Sequence, residues 1–196
     1  FQAQRGVEVM KFKRIILLIT AMIMAFQIAM PISFASLEES KIDSSVGLLE
    51  ALDIVDEDTL INDQEVTRGM LAKEVYKLLN MESIGYIEIF DDVQNDTPYA
   101  EYITGLAQMG IISKGDMYYP EQPATYEQAV RMIVCVLGYK EAIVGGEWPG
   151  NYLKKASEIG LTQGINAGVG NILTGRMLIS LLYNSLGCKL LLYDFG

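Results

Sequence analysis

The 196-residue sequence has no histidine, only two cysteines and a single tryptophan. Without an imidazole there is no Ser-His or Cys-His catalytic pair and no zinc site that takes a histidine ligand. Two cysteines, Cys135 and Cys188, are too few for a disulfide framework. Two free, partly buried thiols is the simpler reading, and spacing alone leaves a bridge open. Basic charge is also scarce: 15 Lys and Arg stand against 25 Asp and Glu, a formal charge of −10. Residues 1–35 hold four basic side chains and one acid, so the other 161 residues carry 11 basic and 24 acidic groups, a charge of −13. Phosphate contacts need a basic face, which argues against a nucleic-acid binder. What the chain does have is a 51% hydrophobic composition, neither disordered nor low-complexity, in a length suited to one or two domains. These exclusions point to a binding or structural protein with no metal and no cofactor, not to an enzyme.

The N-terminal region reads as an address. Lys11, Lys13 and Arg14 form a positive cluster, Ile15 to Met30 is an apolar run, Pro31 ends it, and Ser33-Phe34-Ala35 places small residues at −3 and −1 of a cleavage site. This predicts a signal peptide over 10–35, forming a short helix, with cleavage after Ala35 leaving Ser36 first. The alternative is a retained anchor, but the run falls short of the ~20 residues of a spanning helix. No stable membrane attachment is expected after cleavage. Met10 is a plausible initiator, which makes 1–9 translated upstream sequence. The stretch 189–196 ends without a polar tail and reads as the start of a truncated region.

An internal repeat organises the rest. Asp53, Gly110 and Gly160 each follow an apolar-periodic segment, and a threonine follows each of them: Thr67 after 14 residues, Thr125 after 15 and Thr174 after 14. Counted from each threonine, positions +4, +5, +8, +9 and +12 are apolar in all three copies: Leu71, Ala72, Val75, Tyr76 and Leu79; Ala129, Val130, Ile133, Val134 and Leu137; Leu178, Ile179, Leu182, Tyr183 and Leu186. This is one stripe at helical spacing. Each threonine is placed to cap its helix, and Thr125 with Gln128 has the capping-box pattern. Cys135, at +10, falls off the stripe and is not expected to be central to the core. Tyr102 and Tyr152 each precede their turn glycine by eight residues, Pro98 and Trp148 by twelve. Three units over 36–85, 86–140 and 141–188 are predicted, each helix-loop-helix. Units this small bury little alone, so they should pack as a mainly α, pseudo-threefold bundle.

This pattern resembles three tandem S-layer homology (SLH) domains of clostridial type. Copy two carries the resemblance best, in Phe90-Asp91-Asp92-Val93, the stretch from Pro98-Tyr99-Ala100 to Met109-Gly110-Ile111-Ile112, Gly115, Tyr118-Tyr119-Pro120 and Ala124-Thr125-Tyr126-Glu127-Gln128. Gly145-Gly146-Glu147-Trp148-Pro149-Gly150-Asn151-Tyr152 leads into copy three. The resemblance covers about 45–188 and implies a secreted, cell-wall or S-layer location. It also implies non-covalent attachment to a peptidoglycan-linked secondary polymer, often one bearing pyruvate ketals, in a Gram-positive-type wall. Open amides at helix N-termini, an arginine in the first turn and a nearby aromatic would suit such a ligand. The residues implied for polymer binding are Thr67, Arg68, Asp92, Gly115, Thr125, Trp148, Thr174 and Arg176.

The family's Thr-Arg pair survives only as Thr67-Arg68; copy two has Tyr126 there, and copy three has Gly175 with Arg176 one residue later. At most one or two grooves keep the cation, and weak or single-groove binding is expected. A degenerate scaffold that binds other surface proteins, or the targeting end of a longer surface enzyme, are the alternatives. For Trp148 the two readings are packing and sugar stacking; for Arg68 they are a solvated surface residue and a ligand contact. Gly170 to Met177 imitates a phosphate loop but reads as a helix start, since Arg176 and Met177 replace the lysine and the hydroxyl. The acidic stretch 53–58 lacks the EF-hand glycine and reads as a turn. Asp91-Asp92 reads as a turn and cap rather than an acid–base pair.

Overall fold

The computed structural model describes residues 41–56 and 63–191. The segments predicted as upstream sequence and signal peptide, and residues 192–196, lie outside the described residues. The chain divides into two compact units, 1–43 and 44–196, and the second carries the core and the candidate site.

The described residues are mainly helical. A helix over residues 41–51 (α1) is followed by α2 (Arg68–Lys77), α3 (Ala100–Gln108), α4 (Tyr126–Val136), the single turn α5 (Glu141–Val144), α6 (Gly150–Glu158) and α7 (Gly175–Ser185). Among these residues extended pairing is confined to three isolated antiparallel bridges.

Helices α1, α3 and α6 end alike. Asp53, Gly110 and Gly160 have φ of 56°, 72° and 84°. The next residue's amide reaches back five residues in each case: Ile54 N to Leu49 O, Ile111 N to Leu106 O and Leu161 N to Ala156 O, all at 2.9 Å. This is the Schellman stop, which needs a left-handed residue and so favours glycine. The aliphatic residue after the turn folds under the helix and is buried: Ile54, Ile111 and Leu161.

Helices α2, α4 and α7 begin alike. Thr67, Thr125 and Thr174 are extended N-caps, with ψ of 163°, 158° and 160°. The residues just before them form a closed cycle of backbone bonds. Val66 N donates to Leu173 O, Leu173 N to Ala124 O and Ala124 N to Val66 O, at 2.8–2.9 Å. A second cycle has Arg68 N donating to Gln122 O, Tyr126 N to Asn171 O and Gly175 N to Gln64 O, each at 2.9 Å. Val66, Ala124 and Leu173 are at most 1% exposed, so these polar groups satisfy one another where water does not reach.

The three stripes line the core. Leu71, Ala72, Val75, Tyr76, Ala129, Val130, Ile133, Val134, Leu178, Ile179 and Leu182 are all buried. Each fully buried side chain of this kind contributes roughly 1.5–3 kcal/mol. The end of the third stripe departs from the expectation: Tyr183 and Leu186 are about 40% exposed and line a shallow pocket with Leu48. Helix α3 packs on α2, and α6 on α4, which also meets α7 and α2. Gly105 allows the first of these contacts, since a Cβ there would stand 2.7 Å from the Tyr76 ring. The close covering of α4 corrects one expectation. Cys135 is 4% exposed, with its thiol 3.8 Å from the Tyr152 hydroxyl of α6. The shared stripe marked only one face of α4, whereas neighbours cover a second. Both cysteines are free.

Candidate functional site

The segment 116–122 is a loop folded over the start of α2. Asp92 fixes it: Oδ1 accepts from Tyr118 N at 2.7 Å and Oδ2 from Tyr119 N at 2.6 Å. Tyr119 is thereby held at φ 60°, an uncommon conformation for a residue with a side chain. Tyr118 turns inward against Phe90, ring centroids 5.4 Å apart, and its hydroxyl donates to Arg68 O at 2.9 Å. Burial pushes its phenol well above the ordinary range, so it remains a neutral donor.

Arg68 lies over this ring. Its Nε donates to Tyr118 O at 2.8 Å and its guanidinium carbon is 4.6 Å from the Tyr118 centroid. One edge of the guanidinium is anchored, and among the described residues neither terminal nitrogen meets a carboxylate. The side chain lines a cavity of about 400 Å³, together with Leu71 of α2, Gln128, Arg131 and Met132 of α4, and Trp148 and Tyr152 at α6. That volume lies at the lower end of the range for small-ligand pockets. Trp148 is 50% exposed, its ring set edge-on to Tyr152 at 6.1 Å. Of the two readings of this tryptophan, the structure gives a ring open to solvent at the mouth of a cavity and not a packed core residue.

Arg131 is a cavity-lining cation that sequence reasoning did not single out. It lies at +6, off the apolar stripe, and Nη1 donates to Ile111 O at 2.7 Å while Nη2 donates to Ser113 Oγ at 3.2 Å. Its guanidinium stands 5.5 Å from the Tyr152 ring. The available signal was the pairing of a cation at +6 with an aliphatic-serine turn one helix earlier. Burial, with the Cys135 thiol next in effect, pushes the Tyr152 hydroxyl up to about 12.

The other predicted residues fall elsewhere. Thr67 and Thr174 cap their helices, accepting from Met70 N at 3.2 Å and Met177 N at 3.4 Å. Thr125 and Gln128 pair as the expected capping box: the Thr125 amide donates to Gln128 Oε1 at 3.1 Å, and the buried Thr125 hydroxyl faces the Gln128 amide without a full hydrogen bond. Gly115 is exposed on the 113–117 turn, outside the cavity lining. Arg176 is also outside it, 3.8 Å from Asp63. Tyr126, standing where an arginine was expected, is 2% exposed. Open amides at the start of α2 are not found. Arg68 N, Gly69 N and Met70 N donate to Gln122 O, Pro120 O and Thr67 Oγ1, because the 116–122 loop supplies acceptors there. Charge recognition at this cavity therefore falls to side chains.

The family description "S-layer homology domain" matches residues 89–130. The chain is also similar to three bacterial surface proteins. It is 28% identical to a "Surface layer protein" of Brevibacillus choshinensis, over 85% of this chain and 16% of that protein. It is 27% identical to a "Middle cell wall protein" of Brevibacillus brevis, over 91% of this chain and 18% of the relative. A "Cell surface protein" of Thermoanaerobacter kivui is 28% identical over 94% of this chain and 26% of its own length. The chain thus spans about a quarter or less of the relatives it matches. The matched domain and these relatives give the chain a cell-surface localisation and support an anchoring role there.

Proposed function

We propose that this chain is a non-catalytic anchoring module, three SLH-like helix-loop-helix repeats in a pseudo-threefold bundle, that binds a secondary polymer of the cell wall non-covalently. The two cycles of backbone bonds joining the three capping segments support the threefold arrangement. The observation that carries the binding function is Arg68, anchored along one edge by Tyr118 at a cavity whose mouth holds the exposed Trp148. A guanidinium with free terminal nitrogens suits a carboxylate, and an indole face suits the apolar face of a sugar ring. A pyruvylated polysaccharide presents both. Thr67 and Asp92 position this cation, the first by starting its helix and the second by seating the Tyr118 loop.

The test is retention on purified walls before and after removal of their secondary polymer. Retention should depend on the polymer and fall about tenfold or more for Arg68→Ala. Equal retention on both wall preparations removes polymer recognition.

A specific observation favours a second reading, in which the trio serves as a scaffold for other surface proteins. Outside the Arg68 cavity the family's cation position holds a buried Tyr126 or Gly175, and Arg176 pairs with Asp63. That reading expects no wall affinity and a specific protein partner on crosslinking.

A further inference from the structure

We propose that Arg131 is a second ligand-binding cation of this cavity, so that Arg68 and Arg131, on two different helices, grip one carboxylate-bearing hexopyranose per chain while Trp148 supports its ring. The inference rests on the reading of the cavity as a glycan site and adds a residue and a stoichiometry to it.

Arg131 is held in place before any ligand arrives. Two of its five N–H donors are used, on Ile111 O and Ser113 Oγ, and the Tyr152 ring flanks its guanidinium. Three donors stay available, and four remain on Arg68, which uses only Nε. Among the described residues neither guanidinium has a carboxylate within ion-pair distance, although acids outnumber bases by ten in the chain. Two like charges without a direct ion pair, lining one small cavity, oppose each other, and an anion placed between them relieves both. Glu141 also lines the cavity and offers an acceptor for a sugar hydroxyl. The side chain at the same +6 position in α2, Lys73, is bound instead to its own counter-ion, Asp56, so the start of α2 offers no matching free cation at that position.

The sequence has a single tryptophan, so Trp148 fluorescence reports on this cavity alone. The full chain is titrated with a methyl hexopyranoside bearing a 4,6-pyruvate ketal, and with the ketal-free methyl glycoside as its neutral counterpart. One site per chain is expected. Arg131→Gln, which keeps a donor for Ile111 O, should bind the anionic probe about tenfold more weakly, with a shallower salt dependence and unchanged affinity for the neutral glycoside. Arg131→Lys should fall between Arg131→Gln and the unsubstituted chain, because it keeps the charge but loses the fork. If Arg131→Gln binds as tightly as the unsubstituted chain while Arg68→Gln does not, the inference fails and the polymer reading survives. Equal weakening toward both probes makes Arg131 a loop support only and also overturns the inference. If neither substitution affects the probe or retention on walls, both readings fall. Should Arg131→Gln lower the melting temperature, Arg131→Lys decides by the same comparison of the two probes.

Discussion

The start of α4 and the start of α2 share a frame and differ in chemistry. At +6 from the capping threonine stand Arg131 and Lys73, and at +7 Met132 and Glu74. Three residues after the left-handed turn stand Ser113 and Asp56, and Trp148 is matched by Pro98. Around α4 the cation meets neutral partners, Ile111 O and Ser113 Oγ, and faces an open cavity. Around α2 the cation is consumed. Lys73 and Lys77 both bond to Asp56, Lys77 at 2.7 Å, and hold its carboxyl down at about 2. Glu74 is fully buried with neither oxygen hydrogen-bonded, its Oε1 3.8 Å from Lys73 Nζ, and desolvation lifts its carboxyl to about 7 against the pull of both lysines. The lesson is that helical register preserves the location of a groove while two or three side chains decide whether it faces a ligand or neutralises itself.

The strongest way to break the contrast is to remove the wall of the α4 cavity. Tyr118→Ala deletes a buried ring packed on Phe90 and Arg68, and should cost about 3–5 kcal/mol in chemical denaturation together with all glycan binding. Next in size is the buried acid of α2. The folded-state value of Glu74 is raised, so the fold holds the proton more tightly than the unfolded chain does. The contribution of Glu74 to stability should therefore be greatest below about pH 4.5, fall as pH rises toward about 7 and level off above that. Glu74→Met should remove this slope and stabilise the chain at pH 8 by about 2 kcal/mol, read from denaturant midpoints across pH. Asp92→Ala removes the acceptor of two amides and should cost about 2 kcal/mol while loosening Arg68, so binding weakens more than that of a distant variant of equal stability. The smallest effect belongs to Asp56→Ser. Its side chain is 46% exposed, so solvent screens the pairs and the loss should stay below about 1 kcal/mol. In a background of Glu74→Met it should free Lys73 and raise retention on polymer-bearing walls. No gain would mean that the cation alone does not make a groove.

Much of this frame was legible in the sequence because it is local. The threonine caps, the left-handed turns after α1, α3 and α6 and the apolar stripes each depend on residues within one or two helical turns, and so they register as spacing. What escaped depends on partners far along the chain. Arg131 was passed over because +6 lies off the stripe, and its partners, Ile111 and Ser113, belong to a preceding turn. Cys135 does not read as central to the core because the face of α4 that it occupies is covered by α6, which no local period announces. The closure of the α2 amides follows from carbonyls some 50 residues away, at Pro120 and Gln122. Asp92 was assigned to a turn and cap from its motif. Its bond to the loop that carries Tyr118 depends on residues 26 and 27 positions on.

The ring in which Val66, Ala124 and Leu173 each donate to the next has a temporal consequence. One of its links joins residues 107 apart in the chain, so no N-terminal fragment that stops short of Leu173 contains the complete latch. An emerging polypeptide lacks its final fastening until the last third has arrived, and contacts of such long range fold slowly. A surface protein must cross a membrane as a thread, and a latch that closes last keeps it threadable until the journey is over.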